Sequence, residues 1–104
     1  MGKVIAEVTV VPLGTASASL SSFVAEAEKV LKDFPTLKSL LTPMSTILEG
    51  EMADVLEAVK AMHAAPFRMG ALRVSTTLRI DDRRDKPLTM AGKLEAVKSK
   101  LSDK

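Results

Sequence analysis

The chain has 104 residues, enough for one domain with a core of moderate size. Its fifteen basic and thirteen acidic side chains nearly balance, and this argues against a nucleic-acid-binding protein because phosphate binding relies on clustered Lys and Arg. Three Phe are the only aromatic residues, too few for a surface that stacks single-stranded bases. The chain has no Cys, which excludes disulfides, thiolate metal ligands and a Cys nucleophile.

The N-terminal apolar run predicts a strand and not a targeting segment. Glu7 interrupts the run, and no small-residue cleavage site follows it. No apolar stretch of the sequence, including the N-terminal run, has the length needed to span a bilayer. Together with the absence of Cys, these features lead us to expect a cytoplasmic protein that does not associate with membranes.

The first half of the chain is predicted to form a strand, a helix and two further strands. Residues 3–11 are rich in β-branched side chains, which predicts a strand. Apolar side chains recur at helical spacing over residues 17–32, after a hydroxyl-rich segment that offers N-caps. Residues 37–43 and 45–49 are predicted to be two strands around Pro43, which cannot donate to a ladder.

The second half is predicted to form a helix, a strand and a last helix. Residues 51–64 carry an amphipathic pattern, and Pro66 is predicted to lie in the loop that follows. Residues 71–81 are predicted to be the last long strand. Residues 89–101 again show helical spacing of apolar side chains. The order is therefore β-α-β-β-α-β with one additional C-terminal helix.

This order predicts an α+β, ferredoxin-like fold over a single domain, residues 1–104. Its antiparallel sheet is expected to have strand order 4-1-3-2, with both main helices on one face. The face of the first strand that carries Val4, Ala6, Val8 and Val10 is wholly apolar and should meet the helices. The opposite face carries Glu7 and Thr9, and we expect no helix of this core to cover it.

Glu7 and Glu49 are the first candidates for a site, because they lie on neighbouring strands of the predicted sheet. In one interpretation both carboxylates face water from an open sheet face. In the other they form a binding pair, since a partly desolvated carboxylate needs a cation or a donor beside it. An aminopyrimidine or a cationic heterocycle supplies both. Glycosidase chemistry is disfavoured because the chain lacks the aromatic residues of a sugar-binding cleft.

Other candidate residues favour structural roles. His63, near the predicted end of its helix, should gain from the helix dipole, and a single His without Cys does not predict a zinc site. Residues 81–86 carry three Asp among three basic residues, which favours internal ion pairs over phosphate binding. In residues 12–19 capping is favoured over anion binding. No nucleophile–base set is visible, so we expect neither an enzyme nor a metal site.

Four motifs carry a family resemblance. They are "VPLGT", "TPM.T..EGE", "APF.MG" and "DDRRDKPLTM". As a set, from about Val4 to Leu101, they resemble the small thiamine-binding protein family related to YkoF. The resemblance implies a ferredoxin-like subunit that assembles as a homodimer or homotetramer. It also implies binding of thiamine or its hydroxymethylpyrimidine moiety without catalysis and without another cofactor, in vitamin metabolism.

The motifs and the strand geometry together predict one pocket. Its predicted residues are Glu7, Thr9, Thr42, Met44, Thr46 and Glu49. Ser45 stands where family members often have Gly, and its side chain is expected to narrow the turn or alter access of the ligand. The alternative function is a structural or regulatory homo-oligomer that binds another small metabolite or an ion.

Overall fold

The computed structural model describes residues 3–102. Its elements in chain order are β1 (Lys3–Pro12), α1 (Ser21–Lys29) continued by a 3₁₀ turn (Val30–Asp33), β2 (Lys38–Leu41), β3 (Thr46–Glu51), α2 (Met52–Arg68), β4 (Val74–Asp81) and α3 (Met90–Ser102). Every predicted element is present, in the predicted order. The α+β, ferredoxin-like fold is therefore confirmed.

The four strands form one antiparallel sheet with the order β2-β3-β1-β4. This is the predicted order. In the register, Glu7 of β1 pairs with Ile47 of β3 and with Arg79 of β4. Ile5 pairs with Glu49 in the same way. Because directly opposed residues of an antiparallel pair share a face, these side chains all belong to one side of the sheet, called the outer face below.

The core lies on the other side of the sheet, between the strands and α1 and α2. Val4, Ala6 and Val8 are each 1% exposed, as the wholly apolar face of β1 predicts. Leu48 of β3 and Val55 of α2 are fully buried in the same cluster. Burying such side chains stabilises the fold by about 1.5–3 kcal/mol each. This packing explains why α1 and α2 both cover the inner face.

Helix α2 is longer than predicted and contains Pro66, which we expected in the following loop. The prolyl ring is fully buried. Pro66 lies in the last turn of the helix, where the helix loses one backbone hydrogen bond and the ring packs in the core. The prediction that the helix ends at Ala64 was therefore wrong, because burial of the proline outweighs the loss of that bond.

The stop signal of α2 is Gly70 and not Pro66. Gly70 has φ +97°, the left-handed region that favours glycine. The Ala71 N–H donates to the Pro66 carbonyl at 3.0 Å, and the Gly70 N–H donates to the Phe67 carbonyl at 3.1 Å. These two bonds form a Schellman motif, which satisfies the last carbonyls of the helix.

Two other elements begin later than predicted. Helix α1 starts at Ser21 and has no side-chain cap, because the hydroxyls before it bond within their own loop. For example, Thr15 Oγ1 donates to the Ser17 carbonyl at 2.8 Å. Strand β4 starts at Val74, where its pairing with the end of β1 begins. Leu72, which belongs to residues 71–81 predicted as this strand, lies before its start and is 95% exposed.

Neither α1 nor α2 covers the outer face, as expected, but the additional helix α3 covers part of it. The start of α3 lies against it, because the Met90 N–H donates to Glu49 Oε1 at 2.6 Å. Glu49 is 7% exposed as a result, and Leu88 in the preceding loop is 9% exposed. Beyond this point α3 buries none of its residues. The chain therefore uses the first turn of α3 as a partial cover for the sheet.

Candidate functional site

Glu49 lies on the outer face and anchors α3. Its Oε1 accepts the hydrogen bond from the Met90 N–H at 2.6 Å, and its Oε2 lies 3.9 Å from Lys38 Nζ. A carboxylate at the beginning of a helix is stabilised by the helix dipole. Lys38 is 79% exposed, so it adds little to this stabilisation. The burial of Glu49 is thus offset within the chain.

Glu7 lies on the same face, as predicted, and also has partners. Ser45 Oγ donates to Glu7 Oε2 at 2.9 Å, and Arg79 lies 3.5 Å from Glu7 Oε1. The Glu7 side chain is 40% exposed. Ser45, the residue that departs from the family motif, therefore joins the loop between β2 and β3 to β1. A Gly at this position has no hydroxyl to make this bond.

The loop between β2 and β3 is held in shape by Thr42. Its Oγ1 donates to the Ser45 carbonyl at 2.7 Å and accepts from the Ser45 N–H at 3.1 Å. The Met44 N–H lies 3.4 Å from the same oxygen. Met44 itself is 84% exposed. The loop thus presents a flexible thioether at the surface on a backbone that is fixed by hydrogen bonds.

Thr46 lies on the inner face, opposite to the predicted pair of glutamates. It is 4% exposed, and its Oγ1 donates to Glu28 Oε2 of α1 at 2.7 Å. Thr9 has its side chain on the outer face, where it pairs with Thr77. The structure therefore does not bring the six predicted residues to one place. Three lie on the outer face, two lie in the loop and one lies under α1.

A cavity of about 140 Å³ lies under α1, between that helix and the ends of β1 and β3. We call it the α1 cavity. Its wall is mostly apolar, and Val8 to Val11 form its β1 side, with the Thr9 side chain on the opposite, outer face of the sheet. The loop between β2 and β3 lines one end of the cavity with Thr42 to Ser45, and we call this end its mouth. The side chains that line the cavity from α1, α2, β3 and the loop between β2 and β3 include Val24, Glu28, Thr42, Met44, Thr46 and Met62.

Among residues 3–102, Glu28 is the one charged residue in the wall of the α1 cavity. Sequence reasoning missed it, although a signal was present. Leu20 and Val24 belong to the apolar stripe of the predicted helix, and Glu28 follows Val24 at the next helical repeat of four residues. A carboxylate at an apolar stripe position faces the interior. A polar group there requires a hydrogen-bond partner, which Thr46 provides.

The charged loop after β4 forms internal ion pairs, as predicted. Arg83 contacts Asp85 at 2.6 Å and Arg84 contacts Asp82 at 2.8 Å. Hydrogen bonds from the two guanidinium groups lower the pKa of each Asp partner below its usual value. Asp81 is paired with Lys93 of α3 at 2.6 Å. Because Arg83 and Arg84 are already paired with Asp side chains, they are less available to bind a phosphate.

His63 is not at the end of its helix, because α2 continues to Arg68. The expected stabilisation by the dipole of the helix C-terminus was therefore wrong. Instead, His63 Nδ1 lies 2.6 Å from Thr76 Oγ1 of β4, and its ring meets the Phe67 ring edge-on at 5.5 Å. His63 thus joins α2 to the sheet.

Within residues 3–102, no three His, Asp or Glu side chains are grouped closely enough to hold a metal ion. None of the helices in the same range combines the length and the apolar character needed to cross a bilayer.

Comparison with known proteins assigns the family. The family model described as "Thiamine-binding protein" matches residues 6–98. The chain is 50% identical to a UPF0045 protein of Methanothermobacter thermautotrophicus, over 92% of this chain and 97% of the relative. It is 45% identical to UPF0045 protein YqgV of Bacillus subtilis, over 93% of this chain and 96% of the relative.

Solved structures agree on the fold. A hypothetical protein from Methanocaldococcus jannaschii has a TM-score of 0.84 at 40% identity, over 93% of this chain and 97% of that chain. A putative thiamine biosynthesis/salvage protein from Thermotoga maritima has a TM-score of 0.73 at 24% identity, over 91% of this chain and 98% of that chain. The two proteins therefore share a fold. Because the family model spans most of the sequence, and close relatives match it almost from end to end, the chain belongs to the thiamine-binding protein family.

Proposed function

We propose that this protein binds thiamine or its hydroxymethylpyrimidine moiety, and that the pyrimidine ring enters the α1 cavity. The observation that carries the proposal is Glu28, a carboxylate in the wall of a mostly apolar cavity of a thiamine-binding family member. The aminopyrimidine has an exocyclic amino group that donates hydrogen bonds. A carboxylate acceptor makes such a bond charge-assisted, and so roughly twice as strong as a neutral one.

The size of the α1 cavity suits one six-membered ring. Its volume is about 140 Å³, and an engineered apolar cavity of about 150 Å³ in another protein holds benzene. The thiazolium ring of thiamine then lies at the mouth, beside Thr42 and Met44. The flexible Met44 thioether can pack on a flat ring there. The cation is also attracted by the negative charge of Glu28.

The six predicted residues fall into two groups. Thr42, Met44 and Thr46 line the α1 cavity. Thr9 lies in the β1 segment beside the cavity, but its side chain is on the outer face with Glu7 and Glu49. Glu7 and Glu49 are assigned to internal contacts of the outer face. Glu28, the carboxylate in the wall of the α1 cavity, accepts a hydrogen bond from Thr46. We assign it to ligand binding, and we propose binding without catalysis.

A Glu28→Gln variant tests the site. The amide keeps an acceptor for Thr46 but removes the charge, so the fold should be retained. We expect the affinity for thiamine and for hydroxymethylpyrimidine to fall by about 10- to 100-fold, since a hydrogen bond to a charged group contributes about 1.5–3 kcal/mol. Isothermal titration calorimetry measures both affinities.

Glu57→Gln is the matched control, because Glu57 is exposed on α2 and makes a loose pair with Lys60 at 3.9 Å. Its affinities should equal those of the wild type. No heat for either ligand with folded wild-type protein would contradict thiamine binding. An unchanged affinity in the Glu28→Gln variant would contradict the assignment to the α1 cavity.

We also propose that the protein is a homodimer or homotetramer that acts in the cytoplasm, in thiamine salvage or transport, without nucleic-acid or membrane partners. The support for self-association is α3, whose Leu94, Val97 and Leu101 are each more than half exposed. An isolated helix of 13 residues is marginal in water, so α3 requires a surface to pack against. A second copy of the chain provides one.

The second candidate is a structural or regulatory homo-oligomer that binds another small metabolite or an ion. The observation that favours it is the use of Glu7 and Glu49 for internal contacts, which leaves the polar outer face to subunit packing. Native mass spectrometry of gently purified protein separates the two candidates. A retained mass equal to thiamine or hydroxymethylpyrimidine supports the first, and a different retained mass supports the second.

A further inference from the structure

The α1 cavity continues onto the surface of the protein as a groove along α1. The groove and the cavity share Val24, Glu28, Leu41 and Thr42. Beyond these shared residues the groove is lined by Ser21, Ala25, Lys29 and Lys32. We call it the α1 groove. A ligand whose ring occupies the cavity therefore has a path for a substituent along the helix.

The lining of the α1 groove follows from helical spacing. Ser21, Ala25, Lys29 and Lys32 are separated by four, four and three residues, which places them on one face of the helix. Ala25 is small and leaves the middle of this face open. Lys32 lies about one turn beyond Glu28, a distance of roughly 6–8 Å along the axis. A substituent of that length reaches from the cavity mouth to the two ammonium groups.

Both ammonium groups are available to a ligand. Lys29 makes an ion pair with Glu26 at 2.9 Å, but the Lys29 side chain is 63% exposed and such surface pairs contribute little. Lys32 is exposed, and no carboxylate of residues 3–102 is within ion-pair distance of it. The end of the α1 groove thus presents positive charge, next to a cavity whose own charge is negative.

We propose that the α1 groove binds the phosphate of a phosphate monoester, so that the ligand is a phosphorylated form of the molecule in the α1 cavity. This inference rests on the proposed function. In the proposed complex the pyrimidine amino group faces Glu28, while the phosphate lies between Lys29 and Lys32. Two ligands share this chemistry: thiamine monophosphate and the phosphate ester of hydroxymethylpyrimidine.

The negative charge of Glu28 in the cavity and the positive charges of Lys29 and Lys32 in the groove determine which end of the site the phosphate occupies. A phosphate inside the α1 cavity would be close to Glu28 and would be repelled. At the far end of the groove it meets two cations, and hydrogen bonds from ammonium to phosphate are charge-assisted. Because both lysines are exposed, the gain is modest and is reduced by salt. The phosphate therefore adds selectivity to a ligand that the cavity already holds.

Calorimetry with four ligands tests the inference at low ionic strength: thiamine, thiamine monophosphate, hydroxymethylpyrimidine and its phosphate. We expect each phosphate to bind the wild type about 3- to 10-fold more tightly than its parent alcohol, and we expect salt to remove this gain. In Lys32→Gln the gain should fall below twofold, with the affinity for the alcohols unchanged. If the gain appears for thiamine monophosphate, the preferred phosphate ester is on the thiazole side of the ligand. If it appears for hydroxymethylpyrimidine phosphate, the preferred ester is on the pyrimidine.

Lys60→Gln is the matched control, since Lys60 is exposed on α2, makes only a loose pair with Glu57 at 3.9 Å and does not line the α1 groove. It should keep the full gain, and Lys32→Arg should restore it. Equal binding of the alcohols and their phosphates to the wild type would overturn the inference while leaving the proposed function standing. Retention of the gain in Lys32→Gln would also overturn it. Absence of binding by all four ligands would overturn both proposals.

Discussion

At the scale of single residues, Gly50 shows why a family motif holds a glycine inside a strand. Gly50 is on the inner face of β3, where it pairs with Val4 and is buried. A Cβ at this position would collide with the Leu37 side chain, and the Leu37 Cα and the Thr36 carbonyl would be within 3.6 Å. The glycine therefore leaves room for the Leu37 side chain, while the backbone before β2 would be at ordinary contact distance from a Cβ.

We predict that Gly50→Ala destabilises the protein by about 1–3 kcal/mol, the usual cost of overpacking a core. Leu37 packs against the core, so it cannot move away without losing contacts. Chemical denaturation measures the change in the free energy of unfolding. In a Leu37→Ala background the same substitution should cost much less, because its main obstacle is absent. An equal cost in both backgrounds would show that the collision with Leu37 is not the cause.

At the scale of elements, the contact between Glu49 and α3 decides how the last helix is attached. Glu49 ends the run of residues that β3 pairs with β2, and Met90 is the first residue of α3. Their hydrogen bond connects segments 41 residues apart in the sequence. Since α3 buries none of its own residues, this bond and the ion pair of Lys93 with Asp81 hold its first turn to the sheet.

We predict that Glu49→Ala loosens the first turn of α3 and destabilises the protein by about 1–3 kcal/mol, because the N–H of the half-buried Met90 loses its acceptor. Hydrogen exchange should show loss of protection at Met90 and in the next turn. Glu57→Ala, on the exposed face of α2, should show no such loss. Thiamine affinity should stay unchanged, because Glu49 and the α1 cavity lie on opposite faces of the sheet. A loss of affinity would instead support a ligand on the outer face.

At the scale of the whole molecule, α3 makes the subunit elongated. The principal extents are 49 × 32 × 19 Å, and the Cα radius of gyration is 15.5 Å, larger than the roughly 13 Å typical of a compact chain of about 100 residues. The difference arises because α3 extends from the sheet with its apolar side chains in water. Such a shape is expected of a subunit that completes its core in an assembly.

We predict that the wild type sediments as a dimer or tetramer and that a Leu94→Lys/Val97→Lys double variant shifts to a smaller species. The added charges would be buried without partners in any interface formed by α3. Leu72→Lys is the matched control, because Leu72 is 95% exposed at a distant loop, and it should keep the wild-type mass. Sedimentation equilibrium measures all three. A monomeric wild type would contradict the proposed assembly.

The sequence by itself determined the order of the elements, the strand order and the family. These rest on local periodicity and on motifs that are continuous in the chain. It also placed Glu7 and Glu49 on one face, since alternation along paired strands fixes which side each residue takes. Element ends were predicted less well where burial outweighed a local signal, as at Pro66.

Tertiary structure alone decided what each polar side chain contacts. Glu49 was an unexplained carboxylate in the sequence, and it accepts a bond from a helix that begins 41 residues later. Thr46 and Glu28 are 18 residues apart and meet only because α1 packs on the inner face of β3. Residue type and spacing specify which face a side chain takes, but the partner that offsets its burial comes from distant segments brought together by the packing of the core.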